Sequence, residues 1–176
     1  QLFVVRSRGA GTGPEVEEEV IRALMLLRLS TLCTGRTGVR PVVVETYAKA
    51  LNAGIVPVVR EYGSLGCSGD LAPLAHCALA LLGEGEVRVN GELQDAGAAL
   101  AAAGIEPLQL REKEGLALIN GTDGMLGQLC LAITDLRATA KTADIATAMT
   151  VEGLLGTLVV FADDLQQLRP HPGQAD

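Results

Sequence analysis

The sequence predicts an all-α fold, and three observations carry that expectation. Of 176 residues, 48% are hydrophobic but only 2% are aromatic. The apolar mass is therefore Leu, Ala and Val, and Ala and Leu are strong helix formers. Long segments carry apolar residues at helical spacing, whereas only one short segment alternates as a strand does. The charged fraction of 20% and a mean hydropathy of +0.31 exclude an extended disordered chain.

Residues 14–34 read as one long helix. Pro14 suits a first turn. Glu15, Glu17, Glu18 and Glu19 crowd the end where the helix dipole favours negative charge. The run IRALMLLRLSTL is apolar on most faces, the mark of a buried helix, and Gly35 follows as its stop. A second helix runs from about Pro41 to Ala53 and is stopped by Asn52–Gly54. The stretch IVPVVREYGSLGCSG is glycine-rich and irregular. A third helix starts at Asp70 and runs to Gly83. Residues 86–93 alternate around Asn90–Gly91, a type I′ hairpin signal and the one convincing β element. Asp95 to Ala103 is a short Ala-rich helix closed by Gly104. Gly124 to about Leu165 reads as two helices that break near Lys141–Asp144. These helices carry more apolar surface than the chain can easily bury alone, which points to partner helices beyond it.

Charge and cysteine usage remove several functions. A net charge of -7 and scarce aromatics argue against nucleic-acid binding. Cys33, Cys67, Cys77 and Cys130 form no C-x-x-C pair, and with only two histidines no metal site is expected. Reduced thiols point to the cytoplasm. No uninterrupted apolar run reaches the roughly 18–20 residues of a membrane span, so no membrane partner is expected either. The chain opens on Gln1 in mid-pattern, and residues 1–176 read as an internal fragment of one longer domain.

The densest unusual segment is Gly63-Ser64-Leu65-Gly66-Cys67-Ser68-Gly69-Asp70. Its plainest reading is a glycine loop with Ser68 or Asp70 capping the next helix. A phosphate cradle is a second reading, but the lysine of a P-loop is missing. A third makes Cys67 a thiolate nucleophile with its pKa lowered by the helix start, although no histidine is close in sequence. The fourth is backbone cyclisation. When residue i+2 is Gly, its nitrogen can reach the carbonyl carbon of residue i. If the middle residue is Ser, loss of its hydroxyl leaves an exocyclic methylidene. Cys67-Ser68-Gly69 meets that requirement, and the product, a 4-methylidene-imidazol-5-one, is a strong electrophile made without an external cofactor. The helix start that follows favours electron flow into such a ring.

GSLGCSGDLAPLAHCALALLGEGE, Gly63 to Glu86, resembles the signature of the histidine and aromatic amino acid ammonia-lyases. Val5 to Pro41 resembles the segment upstream of that signature. KEGLALINGTDG, Lys113 to Gly124, resembles the family's K-E-G-L-A-L-x-N-G-T motif, and RPHPGQ, Arg169 to Gln174, its downstream block. The resemblance covers essentially all 176 residues, and its four runs fall in the family's order. The Cys-first tripeptide and the NGTDG run are most similar to the actinobacterial histidine-acting members.

The resemblance implies the central part of a long-helix bundle subunit that assembles as a homotetramer. It implies that Cys67, Ser68 and Gly69 supply the ring, and that Asn120 hydrogen-bonds the ring and the substrate carboxylate region. Read by itself, Asn120 is an Asn-Gly turn between helices. His76 is as well explained as a satisfied core histidine, and Lys113–Glu114 as a solvated charge pair. Arg8 stands where the family usually has a histidine beside the substrate side chain. It is either a substrate-binding residue that alters selectivity or a residue turned outward. The catalytic tyrosine base and further substrate residues are expected outside residues 1–176. The activity implied is non-oxidative elimination of ammonia from L-histidine to give urocanate. The alternatives are a phenylalanine or tyrosine lyase or aminomutase, and a non-catalytic fragment that only assembles.

Overall fold

The computed structural model describes residues 1–171 and residue 173. It divides into two compact units, residues 1–131 and 132–176. The first unit contains α1 (Leu2–Arg6), α2 (Glu18–Cys33), α3 (Pro41–Asn52), α4 (Leu71–Leu81), α5 (Ala96–Ala102) and α6 (Glu114–Ile119). It also holds strands β1 (Thr12–Glu15), β2 (Ile55–Pro57), β3 (Arg60–Tyr62), β4 (Glu86–Val89) and β5 (Glu92–Asp95). The helix α7 (Asp123–Gly153) begins in this unit.

Helices dominate, as expected, but the purely α expectation is too strict. β2, β4 and β5 form an antiparallel sheet in that order, with Ile55 opposite Val89 and Val87 opposite Gln94. β1 pairs with β3 in a second sheet. The hairpin at Asn90–Gly91 is where the sequence puts it, both residues having positive φ. The stretch from Ile55, expected to be irregular, instead opens with the fully buried strand Ile55–Pro57, whose β-branched residues suit a sheet. The helix expected over 14–34 starts only at Glu18, because Pro14 and Glu15 are taken up by β1. One face of α2 is buried through Ile21, Leu24, Met25, Arg28 and Leu32, while Leu26 is exposed. Its apolar surface is therefore a stripe, with a charged residue inside it.

The core centres on α4, whose Leu74, Ala75, Cys77, Ala78, Ala80 and Leu81 are all buried. Burial pushes the Cys77 thiol up to about 12, so it is an inert part of this core. Helix α5 is capped by Asp95, whose carboxylate accepts from the Ala98 amide at 3.0 Å.

Glu114 is not in a solvated charge pair. It is 1% exposed. Its carboxylate accepts Arg40 Nε and Nη2 at 2.8 Å each. It also accepts the backbone amides of Arg40 at 3.1 Å and Arg111 at 2.8 Å. Four donors satisfy one carboxylate and join the start of α3 to the start of α6.

In the second unit α7 continues without the expected break near Lys141–Asp144. No Gly or Pro interrupts residues 128–152, and Thr142 Oγ1 bonds back to the Ala138 carbonyl at 2.9 Å. A 3-10 turn (Leu158–Phe161) and α8 (Asp163–Gln166) follow. Ile133, Leu136, Ile145 and Met149 are exposed along α7, in line with the surplus apolar surface expected from the sequence. The RPHPGQ run lies partly outside the described residues.

The stretch 114–153 contains a window of mean hydropathy 1.3, so one helical segment is long and apolar enough to cross a membrane. That corrects the expectation of none. The stretch is nevertheless two helices, parted at residues 120–122. Asp123 is buried just past the break, and lipid offers no partners for such groups.

Replacing Glu114 with Gln should lower the unfolding free energy by about 3 kcal/mol, the cost of breaking a buried pair. Arg40 and its neighbours hold the Glu114 carboxyl down at about 2. Its folded pKa thus lies below the unfolded one, so its contribution is full above the ordinary glutamate range and fades as pH falls toward about 2. The stability gap between native and E114Q chains should narrow from pH 5 to pH 2.5 in denaturant titrations; a constant gap contradicts this.

Candidate active site

The loop before α4 presents the tripeptide. Cys67 and Ser68 are exposed, Gly69 is half-buried and Asp70 is buried. Asp70 occupies the cap position of α4, yet its side chain makes no capping bond. The cap expected from the sequence is thus present in position and not in function. The Asp70 carboxylate turns toward α7 instead, where a Cβ on Gly124 would stand 2.6 Å from its Oδ2.

Two segments far apart in sequence meet here. The Asp70 amide donates to the Gly121 carbonyl at 2.8 Å. A Cβ added to Gly69 would lie 2.7 Å from Asn120 Oδ1. A side chain at position 69 would have to push the Asn120 amide aside. The fold therefore brings Gly69 and Asn120 into contact, and the Asn-Gly turn between α6 and α7 is the platform on which the tripeptide rests. Extended backbone at Asn120, with φ −105 and ψ 101, ends α6 and aims this turn at the loop.

Arg8 borders the same depression as the tripeptide. With Tyr62, Leu65, Cys67, Gly69 and Leu71 it lines an open depression of about 620 Å³. Its guanidinium is exposed, and no acid pairs with it among the described residues. Arg8 thus borders the depression with its side chain in solvent.

His76, on α4, is a satisfied histidine. Its Nε2 accepts the Gly11 amide at 3.3 Å and so braces the segment that carries Arg8. Burial lowers its pKa, and the nearby Arg60 charge lowers it further. The neutral ring is the form that accepts this bond. With that nitrogen engaged, His76 does not serve Cys67, whose thiol donates to the Gly69 carbonyl at 3.4 Å. The thiolate-nucleophile reading has no base within hydrogen-bonding distance among the described residues. No group of three or more His, Cys, Asp or Glu able to hold a metal ion occurs among them either.

Two buried residues of this region escape sequence reasoning, Arg28 and Asp123, while the buried Asp70 is read there only as a helix cap. Arg28 left a signal. It falls on the buried stripe of α2 with Ile21, Leu24, Met25 and Leu32, where an unpaired charge is not tolerated.

Solved enzymes share this fold. Histidine ammonia-lyase from Trypanosoma cruzi superimposes with a TM-score of 0.93 at 41% identity, covering 99% of this chain and 34% of that one. Tyrosine aminomutase from Streptomyces globisporus gives 0.90 at 46% identity, covering 98% of this chain and 32% of that one. The chain belongs to the aromatic amino acid lyase family, whose model matches residues 1–176. It is 64% identical over 176 residues to histidine ammonia-lyase of Streptomyces coelicolor, a match covering 99% of this chain and 34% of that protein. The chain thus spans about a third of the length of the curated relative.

His76 provides a pH test. Its folded pKa lies below the unfolded value of about 6.5. As pH falls below 6.5 the unfolded chain takes up a proton first, so stability declines until the folded pKa is reached. His76→Gln keeps an acceptor for Gly11 and removes the titration. Its unfolding midpoint should vary less than the native one between pH 7 and pH 5; parallel profiles contradict the assignment.

Proposed function

We propose that this chain is the electrophile-bearing part of a histidine ammonia-lyase, a carbon–nitrogen lyase that converts L-histidine to urocanate and ammonia without oxidation. The observation that carries the reading is the contact of Gly69 with Asn120, which joins the Cys-Ser-Gly loop to the Asn-Gly-Thr turn. The similarity to the histidine ammonia-lyase of Streptomyces coelicolor supports histidine as substrate.

The residues present fit a methylidene-imidazolone formed from Cys67, Ser68 and Gly69. A side chain at position 69 would press on the Asn120 amide. Ser68 is exposed, so its hydroxyl can leave as water. The group comes wholly from the chain, so no external cofactor and no metal enter the reading. When formed, the ring supplies an electrophile that makes the substrate nitrogen a better leaving group.

The remaining roles belong to the chain's own side chains. The Asn120 amide, held against Gly69, orients the substrate carboxylate region by hydrogen bonding. The backbone amides at the start of α4 place positive potential beside the tripeptide. Arg8 sets the charge of the depression in which the substrate side chain lies. The weakly acidic β-proton needs a separate base, so leaving-group activation and base positioning share the barrier. We assign that base to sequence outside residues 1–176. The exposed apolar residues of α7 support assembly as a homotetramer, and the soluble partner is then a small amino acid in the cytoplasm.

A second reading, an aminomutase acting on tyrosine, rests on the tyrosine aminomutase likeness and on Arg8, whose permanent charge disfavours a protonated imidazole.

Two measurements test these roles in the full-length enzyme. Ser68→Ala should abolish turnover with the helical circular dichroism unchanged, and Cys67→Ala should stay active; a working S68A enzyme ends the proposal. Arg8→His should raise kcat/KM for histidine about tenfold, most at low pH where the imidazole is charged. A like charge about 4 Å away opposes that form by up to about 4 kcal/mol at an effective dielectric near 20. If tyrosine turnover rises and histidine turnover does not, the aminomutase reading is the better one.

A further inference from the structure

Arg28 is 3% exposed, yet it is poorly placed as a stability device. Its Nε has no hydrogen-bond partner, and its Nη2 faces Asp123 Oδ2 at 3.4 Å, a contact without hydrogen-bond geometry. A buried ion pair so incompletely satisfied returns little of its desolvation cost. What it does achieve is position. Arg28 Nη1 donates to the Asn120 carbonyl at 2.9 Å. The guanidinium fills the space beneath Gly121, where a Cβ would come 2.7 Å from Nη1 and would also meet Asp123 Oδ2.

The next carbonyl along, that of Gly121, receives the Asp70 amide, and the Asn120 side chain rests on Gly69. The chain of contacts therefore runs from α2, through Arg28, to the backbone of the Asn120–Gly121 turn, and from that turn to both Gly69 and Asp70. Asp123 holds the guanidinium from the start of α7. Neither Arg28 nor Asp123 lines the depression that holds Cys67, Gly69 and Arg8.

We propose that Arg28 and Asp123 are a positioning pair for ring closure: they fix the Asn120–Gly121 turn, which in turn presses the Cys67–Ser68–Gly69 backbone into the conformation that cyclises. The inference rests on the proposed ring. In the step concerned, the Gly69 nitrogen bonds to the Cys67 carbonyl carbon. The carbonyl oxygen leaves as water with the Gly69 and Ser68 amide protons. Ser68 then loses its hydroxyl and its α-proton as a second water. No electrons are gained or lost, so no oxidant is required. Closure depends on how closely the backbone nitrogen is held to the carbonyl carbon, because such steps respond to sub-ångström alignment.

The test measures ring formation apart from catalysis. The full-length enzyme and the variants Arg28→Lys, Arg28→Met and Asp123→Asn are expressed, and the peptide spanning residues 61–88 is weighed by mass spectrometry after proteolysis. The native protein should show the loss of two waters. Arg28→Met and Asp123→Asn should leave most of the peptide uncyclised, at least a tenfold rise in the intact fraction, while remaining soluble. Arg28→Lys, which keeps the charge, should fall between. Leu81→Ala, which loosens the α4 core without touching the turn, should cyclise fully, so a general loss of stability cannot mimic the result. Complete cyclisation in soluble Asp123→Asn and Arg28→Lys overturns the inference. Should Arg28→Met fail to fold, those two variants still decide it. Absence of water loss in the native protein overturns instead the ring on which the inference stands.

Discussion

The bond from the Asp70 amide to the Gly121 carbonyl is the constraint around which the candidate site is organised. It ties the loop before α4 to the turn between α6 and α7, two segments about fifty residues apart in sequence. Everything at the tripeptide follows from that approach. A side chain at Gly69 would press on the Asn120 amide. The Asp70 carboxylate lies beside Gly124 and makes no capping bond to α4. A loop that would otherwise be a mobile glycine-rich segment gains a floor.

Buried charge is used in two different ways. Glu114 is saturated by four donors from Arg40 and Arg111, and it anchors α6 to α3. Such a fully satisfied carboxylate stabilises the fold and holds the helix that ends at Asn120. Arg28 and Asp123 are less well satisfied and sit directly under the Asn120 turn. The first pair secures the element and the second aims its end. His76 does a similar service elsewhere, holding Gly11 and through it the segment of Arg8.

The apolar residues left exposed on α7 have a different meaning from those of α4. Helix α4 is surrounded by its own chain, whereas Ile133, Leu136, Ile145 and Met149 are exposed. Such a stretch of exposed apolar side chains is more than a lone soluble surface usually carries. This agrees with a chain that corresponds to a third of its curated relative. It also accounts for the high mean hydropathy of a protein whose own core is modest.

The sequence by itself determined the helical character, most helix ends and the Asn90–Gly91 hairpin, and it singled out the candidate tripeptide. These depend on local rules: propensity, positive-φ turns, and the requirement that cyclisation places on three consecutive residues. It also placed Asn120 at the site by family resemblance, although its local reading was only a turn. Tertiary structure decided the rest. Thr12–Glu15 became a strand because Arg60–Tyr62 lies beside it, and no local signal shows that pairing. Lys113–Glu114 looked like surface charge, but Glu114 is buried because Arg40, 74 residues away in sequence, comes to meet it. The same holds for Arg28 and Asp123. Whether a charged side chain is solvated or enclosed depends on which distant groups the fold brings to it, and that is not written in its neighbours.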